Sequence, residues 1–339
     1  MAVRWAIYGI GLHAERRMAP ALRRVKNTEL AAVCSRDRGR AKAFADRFQA
    51  AQAYDSYDVL LADPNIDVVY LATPNNLHRQ HTEKAAAAGK HVLCEKPMAL
   101  TEEDCQAMIE ACRRAGVKLG TAYQNRNHPA HIEARRLVLA GEVGDILMAS
   151  AQFNQNVSLE EAWRDWKMDL PQSGGLAIMA VGVHVFDLLR FVLGREAVAV
   201  AAFSDEDLAN NHFDSNWTCA FHFQGGAQGL ALYGRNIPNM RNDLMLHGSQ
   251  GRVMGIGTVG VLYRGSLLVS RGDVATETSY PYPHPEIGLY EGLIESFNAS
   301  VLEGKEPSAT GYDGLEVCRM TNAAIASARE ARVVPIRGD

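Results

Sequence analysis

The first 122 residues alternate short apolar runs with helical stretches in strict order. Val3 to Tyr8 reads as a strand, Glu15 to Val25 as a helix, Leu30 to Cys34 as a strand, and a helix capped by Asp37 runs through Phe48. The strand Val68 to Ala72 follows, then a helix that ends at Ala88 and Gly89, then the strand His91 to Cys94. A helix opened by Thr101, with Asp104 three residues on, stops at Gly116 and leads into a strand from Val117 to Ala122. Continuous apolar strands separated by helices predict a doubly wound parallel sheet, buried on both faces.

Beyond Gly144 the pattern becomes strand-rich. Strands are predicted at Ile146 to Phe153, Val198 to Phe203, Trp217 to Phe223, Gln228 to Tyr233, Leu244 to His247 and Val261 to Val269. An apolar helix is predicted over Gly174 to Leu193, and two late ones near Tyr290 to Leu302 and Leu315 to Ala328. A chain of 339 residues accommodates two domains, and the change of pattern places them at 1–122 and 123–339.

Composition narrows the partners rather than the fold. Hydrophobic residues make up 47% of the chain, enough for a core in each domain, and the net charge of -4 with scattered Lys and Arg argues against nucleic acid or an anionic membrane. Small molecules are the expected partners. No apolar run was expected to approach the ~18 residues of a membrane span, and the apolar start ends in glycines rather than a cleavage site, so the chain reads as cytoplasmic. The six cysteines lack Cys-x-x-Cys spacing, which points to a reducing compartment, and the eleven histidines form no metal-binding pattern, so no metal is expected.

Candidate chemistry gathers at the predicted carboxyl ends of the first domain's strands. Gly9-Ile10-Gly11-Leu12-His13-Ala14 lies between a strand and a helix, the required context of the Gly-x-Gly-x-x-Ala dinucleotide loop. Gly9 permits the tight turn, Gly11 lets backbone approach a pyrophosphate with Leu12 beside it, and Ala14 allows close packing. After the second strand Ser35 stands where an acid would meet a ribose 2′-hydroxyl. Arg36, with Arg40, is placed to bond a 2′-phosphate, each charge-assisted bond being worth about 1.5–3 kcal/mol, so NADP(H) is expected to be preferred with NAD(H) still possible. Asp37 is read either as a helix cap or as a ribose ligand. The turn Thr73-Pro74-Asn75-Asn76-Leu77-His78 places Thr73, Asn75 and His78 toward the cofactor, and Glu95-Lys96-Pro97 ends a buried strand with two charges, read as a functional pair or as a simple strand-end salt bridge.

These motifs in this order resemble the glucose-fructose oxidoreductase/inositol dehydrogenase/MocA (Gfo/Idh/MocA) family of dehydrogenases. Tyr123 to Arg126, Gly141 to Ile146, Ser173-Gly174-Gly175 and Gly182 to Asp187 extend the likeness over the whole chain, and Pro307 to Gly314 looks most like the branch that includes 1,5-anhydrofructose reductase. The resemblance implies an α/β protein: a Rossmann domain, then a domain with a large, open, mostly antiparallel sheet. That sheet commonly pairs subunits, giving a homodimer or homotetramer, and the last helix is expected to pack back on the first domain. It also implies transfer of hydride between nicotinamide and a sugar, polyol or related compound, with Lys96 and His184 as catalytic residues. By the i, i+3 and i, i+4 rule Ala180, His184 and Asp187 share one helical stripe. The resemblance expects an aspartate at 180, and alanine there favours a cofactor-binding regulator as an alternative; the resemblance also permits a nicotinamide-assisted non-redox lyase or glycosidase. Asn125, Arg126, Asp187 and either Trp166-Lys167 or Trp163-Arg164 are expected to shape the substrate pocket.

Overall fold

The computed structural model describes residues 2–156, 165–206 and 214–336. The chain divides into two compact units, Met1–Gln124 with Glu286–Leu315, and Asn125–Pro285 with Glu316–Asp339. After the break at 124/125 the chain returns to the first unit over thirty residues near its end.

The first unit holds a six-stranded sheet. Its strands are β1 (Val3–Tyr8), β2 (Thr28–Cys34), β3 (Gln52–Tyr54), β4 (Val68–Leu71), β5 (His91–Cys94) and β6 (Leu119–Thr121). Every pair is parallel and the order is β3-β2-β1-β4-β5-β6, the doubly wound arrangement expected from the apolar runs. Strand order reverses between β1 and β4, so their carboxyl ends, Tyr8 paired with Leu71, flank the crevice where such sheets bind ligands. Caps fix the helices around it. Asp37 accepts from the Arg40 N–H at 2.9 Å to start the helix Arg38–Phe48, and Thr101 accepts from the Asp104 N–H at 3.1 Å to start Glu102–Ala115.

The helix Gly288–Glu303 also belongs to this unit and seals β1: Phe297 packs edge-on against Trp5 at 5.5 Å between ring centroids, and the Trp5 Nε1–H donates to Asn298 Oδ1 at 2.9 Å. Of the last helix, Gly311–Glu330, only the opening turn falls in the first unit, where Gly314 lies so close to Met98 and Thr121 that a Cβ would come within 2.6 Å of the Met98 sulfur.

The second unit is built on a nine-stranded sheet: β7 (Ile146–Asn154), β8 (Ala197–Ser204), β9 (Asn216–Phe223), β10 (Gln228–Gly234), β11 (Leu244–Gly248), β12 (Arg252–Ile256), β13 (Ser266–Arg271), β14 (Val274–Ser279) and β15 (Val334–Pro335). The order is β14-β13-β12-β11-β7-β10-β9-β8-β15, antiparallel throughout except for the parallel pair β7/β10. One face packs on helices Pro129–Leu139 and Val183–Leu193; β9 shows the resulting alternation, with Trp217, Cys219, Phe221 and Phe223 buried and Thr218, Ala220 and His222 exposed.

One expectation about the membrane needs correcting. Leu170–Leu193 is long and apolar enough to cross one, with a mean hydropathy of 2.0, but 89% of that window is buried within the protein. It also carries the buried Asp187, ion-paired to Arg126, so it is a core helix.

Candidate functional site

In the first unit the loop after β1 has the shape a dinucleotide requires. Gly9 sits at φ +101°, and a Cβ there would lie 2.4 Å from the Ala72 carbonyl oxygen, so only glycine lets β1 and β4 end this close together. At Gly11 the corresponding space is open, with nothing within 4 Å of an ideal Cβ, which leaves the backbone free for a phosphate. Ala14 is fully buried, as close helix packing demands, and Leu12 is 61% exposed beside the open loop. A π-helical turn, Ala14–Met18, precedes the α-helix Ala19–Leu22, where the sequence predicted one uniform helix. The close approach at Gly9 and the open space at Gly11 fit a dinucleotide.

At the end of β2, Ser35 is half-buried while Arg36 and Arg40 are exposed, and among the described residues neither arginine has an ion-pair partner. Asp37 acts as the helix cap, and its own N–H lies 3.4 Å from the Ser35 hydroxyl oxygen, which accepts from it.

At the end of β5, Glu95 is the centre of a compact network. The Tyr70 hydroxyl donates to its Oε1, His13 Nε2 lies 3.3 Å from the same oxygen, and the Lys96 backbone N–H donates to Oε2 at 3.3 Å. Burial alone would raise the Glu95 carboxyl, but His13, Lys96 and Tyr70 outweigh it and bring it down to about 2. Glu95 is therefore a fixed anion at all ordinary pH. Lys96 follows half-buried, joined to Pro97 by a cis peptide bond. Tyr290, from the late helix, sets its ring edge-on to His13 at 5.3 Å. Sequence reasoning passed over His13 and Tyr290: the first is one of the loop's unspecified positions, and the second lies nearly two hundred residues from Glu95.

The Thr73 turn is arranged differently from the expectation. His78 is fully buried, with Nε2 2.9 Å from the Thr73 carbonyl oxygen and Nδ1 3.0 Å from that of Pro97. Burial lowers its basicity. It ties the turn after β4 to the loop after Lys96. Asn75 is 7% exposed at the start of a 3₁₀ turn, and the Thr73 hydroxyl lies 3.0 Å from His81 Nδ1.

In the second unit, a π-helical turn Ile178–Gly182 runs into the α-helix Val183–Leu193, so the α-helical spacing used to align Ala180 with His184 holds only from Val183 onward. His184 is 3% exposed, with its ring 5.7 Å from that of Phe153. Arg126 and Asp187, both expected in a substrate pocket, bind each other. Arg126 Nη2 donates to Oδ1 at 2.6 Å and Nε to Oδ2 at 2.9 Å, with the guanidinium over the Phe191 ring at 5.1 Å. Asn125 is likewise buried, its Oδ1 accepting from the Gly260 N–H at 3.0 Å. These three residues brace the unit's interior. Trp166 and Lys167 lie on the 3₁₀ turn Asp165–Met168, half-buried and exposed respectively, and Trp163-Arg164 lies outside the described residues.

Glycine loop, parallel sheet and charged strand end together define an oxidoreductase of the dinucleotide-binding Rossmann class. The family model described as "Oxidoreductase family, NAD-binding Rossmann fold" matches residues 3–123, and that for the GFO/IDH/MocA C-terminal domain matches 131–254. A 1,5-anhydro-D-fructose reductase of Ensifer adhaerens is 30% identical over 313 residues, 92% of each chain. D-xylose 1-dehydrogenase (NADP(+)) 2 of Haloferax volcanii is 29% identical over 97% of each. Among solved structures, an aldose-aldose oxidoreductase from Caulobacter crescentus, complexed with glycerol, superposes with a TM-score of 0.88 at 29% identity, covering 99% of this chain and 100% of that one. The chain belongs to the Gfo/Idh/MocA family of oxidoreductases.

Proposed function

We propose that this chain is an NADP(H)-preferring oxidoreductase acting on a sugar, polyol or related carbonyl compound. The observation that carries the reading is Lys96, half-buried beside the ionised Glu95 at the end of β5, on the same sheet edge as the open Gly9 to Gly11 loop. Gly11, Leu12 and the Thr73 turn would hold the dinucleotide, and the exposed Arg36 and Arg40 would hold a 2′-phosphate. When bound, the nicotinamide supplies or accepts a hydride. Lys96 polarises the reacting oxygen or relays its proton, and His184 serves as general acid and base. Such proton transfer is worth roughly 10²–10⁴-fold.

The outer face of the nine-stranded sheet, with Met148 58% and Phe203 73% exposed, supports pairing with a second copy into a homodimer or homotetramer. Six free cysteines, all buried, support a reducing, cytoplasmic setting. One observation favours a second reading, a cofactor-binding regulator: Ala180 brings no ionisable group to the helix of His184.

The test is oxidation of NADPH and NADH, and the reverse reduction, by purified protein against aldoses, ketoses, anhydrosugars and polyols. Turnover faster with NADPH is expected. Tight NADPH binding with no turnover across the panel overturns the redox reading, and equal use of NADH overturns the role of Arg36.

A further inference from the structure

We propose that Asp214 is a positioning residue for the chemistry, fastening the start of the helical segment that carries Ala180 and His184 and so fixing where the His184 imidazole points. The proposal rests on the reading of His184 as the proton-transferring group. Asp214 takes three consecutive backbone amides. The Leu176 N–H donates to Oδ1 at 2.6 Å, the Ile178 N–H to Oδ2 at 2.7 Å, and the Ala177 N–H to the Asp214 carbonyl oxygen at 3.3 Å. A fourth donor, Trp217 Nε1–H, reaches Oδ2 at 2.7 Å. The first amides of a helix have no partner within it, and an anion at that end also meets the positive pole of the helix dipole.

The turn just before these amides exists to present them. Gly174 lies at φ +79° and Gly175 at φ +143°, and a Cβ on Gly175 would press on Ile178 Cγ2 at 3.0 Å. Further on, a Cβ at Gly182 would meet the Tyr233 ring at 2.7 Å. The π-helical turn Ile178–Gly182 is thus held at its start by Asp214 and at its end against Tyr233, and His184 follows two residues later.

Asp214 is 2% exposed. Among the described residues, the charged and titratable groups facing it are Glu206, Tyr233, Arg235 and Arg329, of which Arg329 is ion-paired to Glu206 at 2.9 Å. Burial raises the carboxyl to about 6 against the pull of the Ile178 and Leu176 amides and Trp217. Protonation just below neutrality places an O–H where an N–H donor now sits and removes one of the fastening bonds. The folded carboxyl holds its proton more tightly than the unfolded chain's, at 3.8, so its stability contribution is lost as pH rises through about 6, not as it falls. The acid effect is therefore to be read in turnover and at His184.

The experiment compares wild type with Asp214→Asn, Trp217→Phe and His184→Gln, using the substrate found in the panel assay, NADPH fluorescence for cofactor affinity, and the His184 Cε1–H resonance by NMR. Asp214→Asn is expected to lower kcat at least tenfold, to leave the NADPH Kd within twofold, and to displace the His184 resonance. Trp217→Phe, which removes a donor favouring the ionised carboxylate, is expected to move the acid limb of kcat to higher pH. A kcat within twofold of wild type and an unmoved resonance in Asp214→Asn would overturn the proposal. If that variant does not fold, an unmoved acid limb in Trp217→Phe overturns it instead. Wild-type turnover in His184→Gln would sink the reading of His184 itself, a separate outcome.

Discussion

The two units use the same kinds of residue in opposite ways. In the first, the polar groups at the end of β2 lie in solvent: Arg36 and Arg40 are exposed and the space at Gly11 is open, while Lys96 follows a fixed anion at the end of β5. In the second, the polar groups nominated for a pocket are already bonded to one another or to backbone, as Arg126 is to Asp187 and Asn125 to Gly260. A parallel sheet leaves its carboxyl edge for ligands because its faces are covered. An open antiparallel sheet covered by helices on one face must brace those helices from within, and buried charges there survive only when paired.

The contrast can be broken most sharply at Lys96. Lys96→Ala is expected to lower kcat/KM by roughly 10²–10⁴-fold while the NADPH Kd changes little; turnover within threefold of wild type would remove Lys96 from the chemistry. Arg126→Ala tests the other side. Removing the ion-pair partner of the buried Asp187 should cost about 3–5 kcal/mol of stability in thermal or denaturant unfolding. A raised substrate KM with unchanged stability would instead return Arg126 to the pocket and end the contrast.

Acid sharpens it further. Burial brings His128 down to about 4, and burial together with His128 brings His131 down to about 3. The unfolded chain takes up protons from about pH 6.5 downward while these folded imidazoles refuse them, so stability is full above that pH and falls as pH drops toward 4. A loss on the order of a few kcal/mol is expected over that window, and His131→Gln should flatten it in a series of melting curves. The smallest effect is at the cofactor: Arg36→Ala should weaken NADPH by roughly 10–100-fold, the worth of a charge-assisted bond of about 1.5–3 kcal/mol, and leave NADH unchanged in a fluorescence titration.

Sequence pattern revealed elements wherever burial was uniform. β4 is buried throughout and β1, β2 and β5 at most of their positions, and all four match the predicted strands to within a residue or two. β3 is only half-buried and β14 fully exposed, so neither announced itself, and the predicted strand Val261 to Val269 overlaps β13 only in part. The glycine loop and the Glu95-Lys96 strand end were legible because their chemistry is local. The tasks of His78 and Arg126 were not, because each is set by a partner remote in sequence, Pro97 at 19 residues and Asp187 at 61. Asp214 escaped for the same reason, since the amides it holds precede it by 36 and 38 residues.

The seal of Trp5 by Phe297 and Asn298 spans 293 residues of chain, and it has a consequence for biosynthesis. The strands of the cofactor-binding sheet leave the ribosome before the helix Gly288–Glu303, and the central strand β1 keeps an indole uncovered until that helix has been made. The second unit must therefore be translated almost entirely before the first can close. A nascent chain stalled short of residue 288 would carry that face as a ready target for chaperones, and a fragment ending near residue 124 would lack the lid of its own core.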